Sequence, residues 1–205
     1  MTDKPLIVAL VGEPGAGRTT LADAMKAQGF LRVAFDDAAR AEVAAAWRID
    51  VRMLTDRHTA SWAIPALAIG QCSETGFMRW AAASGESLAE PRSPEWVMRE
   101  WSAFRNRSVP GYFSAIVERS IGRLVGCSWR RLVVDEVAGQ PGVAAMLDRI
   151  NAKVLRVHRP ELASAAPAGQ VVAQRHAIEA HADVVNDGSL QALIEAGAEA
   201  VEALA

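Results

Sequence analysis

The chain has 205 residues, a formal net charge of −2 and 51% apolar residues. That length suffices for one domain with a real core, the apolar content excludes disorder as a whole, and the near-neutral balance supplies no basic field for nucleic acid. Cys72 and Cys127 are too few for a disulfide framework and are not spaced as zinc ligands, so a reducing, cytoplasmic setting is expected.

Leu6 to Val11 is a continuous apolar run ending at glycine, the pattern of a strand buried on both faces. It leads straight into a glycine loop, so it reads as a first strand and not as a signal peptide. Runs of this size are too short for a membrane span. Arg18 to Ala27 carries Leu21, Ala22 and Met25 at helical spacing. Leu31 to Phe35 predicts a second strand, and alanine-rich Asp36 to Trp47 a helix. From Arg48 to Pro94, prolines, serines and glycines interrupt every period; short helices and a mobile segment over 75–94 are expected. Ser93 and Pro94 suit the start of a helix reaching about Arg107. A further helical stripe runs through Phe113, Ile116, Val117, Ile121 and Leu124. "RRLVVDEV" is a third strand ending in acids, Pro141 to Ile150 a helix, and "AKVLRVHRP" a fourth strand stopped by Pro160. A small-residue loop, a helix over Val171 to His181, the strand "ADVVND" and a helix from Gly188 to Leu204 complete the pattern. Five strands alternating with helices predict an α/β fold with a parallel sheet, its ligands at the carboxyl ends of the strands.

"VGEPGAGRTT", Val11 to Thr20, has the spacing G-x-x-x-x-G-K-[ST] with arginine in place of lysine. Such a loop curls so that backbone N–H groups face an anion, and the helix behind it adds its positive end. Gly12, Gly15, Ala16, Gly17, Arg18, Thr19 and Thr20 therefore form a candidate triphosphate site, with Thr19 as a magnesium ligand. Arg18 keeps the cationic charge on a longer, planar group. Asp135, at the end of the third strand, is a candidate second acid facing magnesium through water.

Beyond the loop, the chain resembles the phage-type deoxynucleoside monophosphate kinases. The resemblance lies in the order of "GFLRVAFDDAAR", "RSPEWVMREW", "LVVDEVAGQPG", "VLRVHRP", "HAIE" and "ADVVNDGSLQAL". It implies a single P-loop kinase domain over 1–205, a three-layer α/β fold with strand order 2-3-1-4-5, and a helical acceptor-binding and lid insertion over 48–125. It also implies ATP and Mg²⁺ as cofactors, nucleotide substrates and a homodimer, with Asp37 and Arg40 at the acceptor. Three places depart from the family: Arg18 for lysine, Ser102-Ala103-Phe104 for Gly-Thr-Glu, and Ala138 for arginine. They leave open a nucleotide-binding protein with little turnover, or a kinase of another acceptor.

Among the arginines of the central helices, Arg92 and Arg105 are candidates to clamp an acceptor phosphate; the alternative is a solvated helix face paired with glutamates. Arg159 ends the fourth strand, where P-loop kinases place a residue against adenine; the alternative is a surface arginine. His176 and Glu179 are one helical turn apart with no evident third metal ligand. Trp96 and Trp101 fit core packing better than base stacking.

Overall fold

The computed structural model describes residues 4–56, 58–137, 142–163 and 178–204. Five strands, β1 (Leu6–Gly12), β2 (Leu31–Ala34), β3 (Arg131–Asp135), β4 (Lys153–His158) and β5 (Ala182–Val185), form one parallel sheet in the order β2-β3-β1-β4-β5. Helices α1 (Arg18–Ala27), α2 (Asp37–Trp47), α3 (Thr75–Ala83), α4 (Pro94–Ser108), α5 (Tyr112–Gly126), α6 (Val143–Arg149), α7 (Pro160–Ala163) and α8 (Leu190–Leu204) alternate with them. The expected strand order is the observed one, and helices cover both faces.

The chain divides into two compact units, 1–35 with 114–205, and 36–113. In the first, β1 lies mid-sheet with Ile7 to Val11 buried, which explains its unbroken apolar run. Its neighbours are β3, through Leu6–Arg131 to Ala9–Val134, and β4, through Val8–Lys153 to Gly12–Val157. Leu21, Ala22 and Met25 of α1 and Leu193 and Val201 of α8 pack with Val8, Leu10 and Leu155 in one core cluster. This core holds the carboxyl end of β1 against the start of α1.

The 36–113 unit has an aromatic core. Trp47, Phe77 and Trp101 meet pairwise with ring centroids 5.3–5.7 Å apart. Phe104 and Trp80 flank them, and Trp47 Nε1 donates to the Ala68 carbonyl at 3.0 Å. Trp101 is thus core, only 1% exposed. Ser93 caps α4 by accepting from Trp96 N at 3.2 Å, with Pro94 in the first turn.

The stretch over 75–94 departs from the expected loop. Thr75–Ala83 is helical because Phe77 and Ala81 supply a buried stripe. Beyond it the backbone is tied back: Gly70 N donates to Leu88 O at 2.8 Å and Ile64 N to Arg92 O at 2.9 Å. The helix expected over Val171 to His181, and with it His176, lies outside the described residues up to 177. Cys72 and Cys127 are free thiols, and burial pushes the Cys72 thiol up. Among the described residues no three acids, histidines or cysteines cluster as metal ligands, and no helix is long and apolar enough to cross a membrane.

Candidate functional site

The phosphate-loop motif lies where β1 ends and α1 begins. Gly12 has φ 141°, and a Cβ there would collide with the Val157 carbonyl oxygen on β4. Gly17, at the N-cap of α1, has φ 104°; a Cβ there would lie 2.7 Å from Asn186 Nδ2 and 3.0 Å from Leu193 Cδ2. Both positions thus exclude a side chain twice, by backbone conformation and by space. Between them Ala16 is buried, and its N–H donates to Glu13 O at 3.2 Å, closing the curl. The glycine N-cap of α1 makes no side-chain capping hydrogen bond, and a helix N-terminus carries partial positive charge that favours an anion.

Two charged groups stand beside the loop. Arg18 Nη1 points to the Val137 carbonyl, 3.4 Å away just beyond β3. Asp135, the last residue of β3, is fully buried. Burial raises its carboxyl above the ordinary value, against the pull of Arg32 and Arg18. Arg32 Nη2 on β2 donates to Asp135 Oδ2 at 2.6 Å, while Asp135 Oδ1 is buried without a hydrogen-bond partner among the described residues. The fold therefore brings Arg18 and Asp135 to one end of the sheet with Gly12, Gly15, Ala16, Gly17 and Thr19. Thr19 is half-buried and Thr20 exposed. Arg159, just past β4, is 44% exposed and pairs with Glu161 at 3.1 Å.

The candidate acceptor residues belong to the 36–113 unit. Asp37 lies in the first turn of α2, largely exposed, and accepts from Arg40 Nη1 at 3.0 Å. Arg92 is nearly enclosed: it pairs with Glu86 at 2.7 Å and Glu90 at 3.2 Å, donates to Ser87 O, and lies 4.5 Å over the Trp96 ring. Arg105 is held differently. Its Nε donates to Glu42 Oε2 at 2.8 Å, and its guanidinium stacks 4.7 Å over Trp101. Glu42 also accepts from Trp101 Nε1 at 3.0 Å and from the Tyr112 hydroxyl at 2.7 Å.

Three contributors are not among the candidate site residues, Arg32, Glu42 and Asn186, although Asn186 stands in the segment "ADVVNDGSLQAL" that carries part of the resemblance. Each leaves a faint trace. Arg32 is a charge inside an apolar strand, Glu42 the lone acid on the interior turns of an alanine-rich helix, and Asn186 an amide at a strand's carboxyl end.

No family model and no curated protein matches the sequence. Solved structures do. TT1252 from Thermus thermophilus is similar at a TM-score of 0.51 with 18% identity over 98% of both chains. The dephospho-CoA kinase from Campylobacter jejuni is similar at 0.51 with 9% identity over 97% of both chains. At these identities the likeness shows the fold alone, an α/β fold shared with a dephospho-CoA kinase.

Proposed function

We propose that the chain is a nucleotide kinase that transfers the γ-phosphoryl group of ATP to a (deoxy)nucleoside monophosphate. The observation that carries this reading is the loop between β1 and α1. Its glycines at 12, 15 and 17 all have φ between 83° and 141°, and at 12 and 17 the space of a side chain is already filled. A loop built so strictly around absent side chains is suited to backbone N–H contact with phosphates.

Residue roles follow from position. The loop N–H groups and the first turn of α1 hold the phosphates. Arg18 neutralises charge on the migrating group, swinging from the Val137 carbonyl. Thr19 and Asp135 would hold Mg²⁺, which would supply charge neutralisation at the phosphates; the Asp135 Oδ1, buried without a hydrogen-bond partner among the described residues, fits a cation or its water. An oxygen of the acceptor's phosphate attacks the γ-phosphorus, the bond from that phosphorus to the β–γ bridging oxygen breaks and ADP leaves, with no covalent enzyme intermediate. For the acceptor phosphate we assign Arg105, 28% exposed and paired with one carboxylate, ahead of Arg92, 12% exposed and paired with two. Asp37 and Arg40 stay with the acceptor, and Arg159 with the adenine. The 48–125 insertion as acceptor-binding lid and the homodimer are part of the same proposal, the latter open to sedimentation analysis.

A second reading, nucleotide binding without turnover, draws on one observation: the cation of the loop already donates to a protein carbonyl. One experiment separates the readings. Phosphoryl transfer from Mg-ATP is assayed over the common ribo- and deoxyribonucleoside monophosphates, with dephospho-CoA included because a similar fold acts on it. Turnover of a monophosphate supports the proposal. Turnover of dephospho-CoA alone replaces the acceptor, and proven ATP binding without turnover selects the second reading.

A further inference from the structure

Asn186 follows β5 immediately, at the carboxyl end of the sheet. Its backbone N–H donates to the His158 carbonyl at 2.7 Å, extending the β4–β5 ladder by one bond. Its side chain then leaves the sheet. Nδ2 donates to the carbonyl of Ala16 at 2.8 Å, across 170 positions of sequence. Nδ2 also occupies the space where a Cβ of residue 17 would stand.

The peptide that joins Ala16 to Gly17 is the last before α1. In a trans peptide the C=O and N–H of one plane point in opposite directions. A donor that holds the Ala16 carbonyl therefore also sets the Gly17 N–H, aiming it away from Asn186. In a curled loop the direction of each N–H decides whether it meets an anion. Gly17 itself has wide backbone freedom, so its own sterics do not supply this orientation. The sheet supplies it, through Asn186.

We propose that Asn186 is a positioning residue for the phosphate loop: anchored on the end of β4, it holds the Ala16–Gly17 peptide so that the Gly17 N–H is presented to a bound polyphosphate. The inference rests on the triphosphate-binding reading above. It deepens that reading by naming what orients the loop and by making glycine at 17 and asparagine at 186 one unit. Asn186 does not touch the transferred group in this role, so its effect appears in phosphate affinity irrespective of the base or acceptor.

The test compares the wild-type chain with Asn186→Leu, which keeps the branched shape and removes the donor, and Asn186→Ala. Titration calorimetry with Mg-ATP and with magnesium tripolyphosphate, which has no nucleoside, is run well below the unfolding temperature of each variant. Both dissociation constants are expected to rise about tenfold, in parallel for the two ligands, as for loss of one hydrogen bond's worth of preorganisation. If only one variant folds, that one carries the comparison. Unchanged affinity in a folded variant, with or without a lower melting temperature, overturns the proposal. Loss for ATP with tripolyphosphate unaffected overturns it too, because Asn186 then contacts the nucleoside and not the loop. Failure of the wild type to bind either ligand rejects the triphosphate reading itself, and this inference with it.

Discussion

Arg32 on β2 reaches Asp135 on β3 with a 2.6 Å hydrogen bond, two residues beyond Val133, its cross-strand register partner. The two partners differ in exposure: the arginine side chain is 22% exposed and the aspartate 0%. Removing them is therefore not equivalent. Arg32→Ala leaves a buried, uncompensated carboxylate and should cost about 3–5 kcal/mol at neutral pH. Asp135→Asn leaves a cation that water can reach, and should cost about 1–2 kcal/mol. Denaturant unfolding of both variants checks the order; equal losses would remove the case for an asymmetric pair.

The pH dependence has a definite sign. Burial already raises Asp135 above its ordinary value, with Arg32 opposing. Loss of Arg32 lets the carboxyl rise further, so folded Arg32→Ala binds its proton more tightly than the unfolded chain. The penalty of ionised Asp135 is then fully present above the folded pKa and is relieved as pH falls through it. The stability deficit of Arg32→Ala should shrink on acidification, and a deficit that grows instead would contradict the pairing.

Gly12 and Gly17 both exclude side chains, but against different neighbours. At Gly12 the obstacle is the Val157 carbonyl in the middle of the sheet, which has nowhere to go. Gly12→Ala should therefore destabilise by on the order of 3 kcal/mol. At Gly17 the nearest atoms belong to the side chains of Asn186 and Leu193. Gly17→Val should fold more readily than its counterpart at 12, yet lose Mg-ATP in calorimetry. Wild-type affinity in Gly17→Val would mean that the nucleotide sits elsewhere.

Arg18 is expected to matter more to transfer than to binding. On the proposed reading the loop amides would hold the ground-state phosphates, while the cation would act as charge develops on the migrating group. Arg18→Ala should lower turnover by two or more decades, on the order of 3 kcal/mol, with a smaller change in ATP affinity. Arg18→Lys should keep or raise turnover, since a compact ammonium suits this loop. Turnover only in the lysine variant would identify a kinase switched off at this position. No change in rate or affinity for Arg18→Ala would leave the arginine on the Val137 carbonyl, outside the chemistry.

Glu42 accepts from Trp101, Arg105 and Tyr112 at once. Glu42→Ala strands the Trp101 indole N–H and releases Arg105, and should cost about 2–4 kcal/mol. Intrinsic fluorescence should report the loosened Trp101. If Arg105 grips an acceptor phosphate, KM for the acceptor should rise more than KM for ATP; equal shifts would confine Glu42 to stability.

The segment over 75–94 should resist hydrogen exchange where the structure ties it. Gly70 and Ile64, bonded to the Leu88 and Arg92 carbonyls, should show slow amides in the ligand-free protein. Arg92→Ala, by cutting the links to Glu86 and Glu90, should speed both. Fast exchange in the wild type would restore the mobile loop expected from composition.

The sequence by itself determined the five apolar strands, the alternating helices and the glycine loop between β1 and α1. These are local outcomes: burial patterns repeat every two or 3.6 residues, and the conformations at Gly12 and Gly17 are set by backbone sterics within one residue. Strand order was not contained in those periods; only the family resemblance suggested it. Composition also misjudged Thr75–Ala83, where two buried side chains, Phe77 and Ala81, outweigh the surrounding breakers. What tertiary structure alone decided is partnership. Arg32 finds Asp135 103 positions away, Asn186 finds Ala16 at 170, and Glu42 gathers residues 59 to 70 positions on. A buried charge or amide must be satisfied by some group, but which group is settled only when the sheet order and helix packing bring distant elements side by side. The glycine loop was therefore legible because its conformation lies in backbone and spacing; the residues packed and hydrogen-bonded around it were not, because their partnerships exist only after folding.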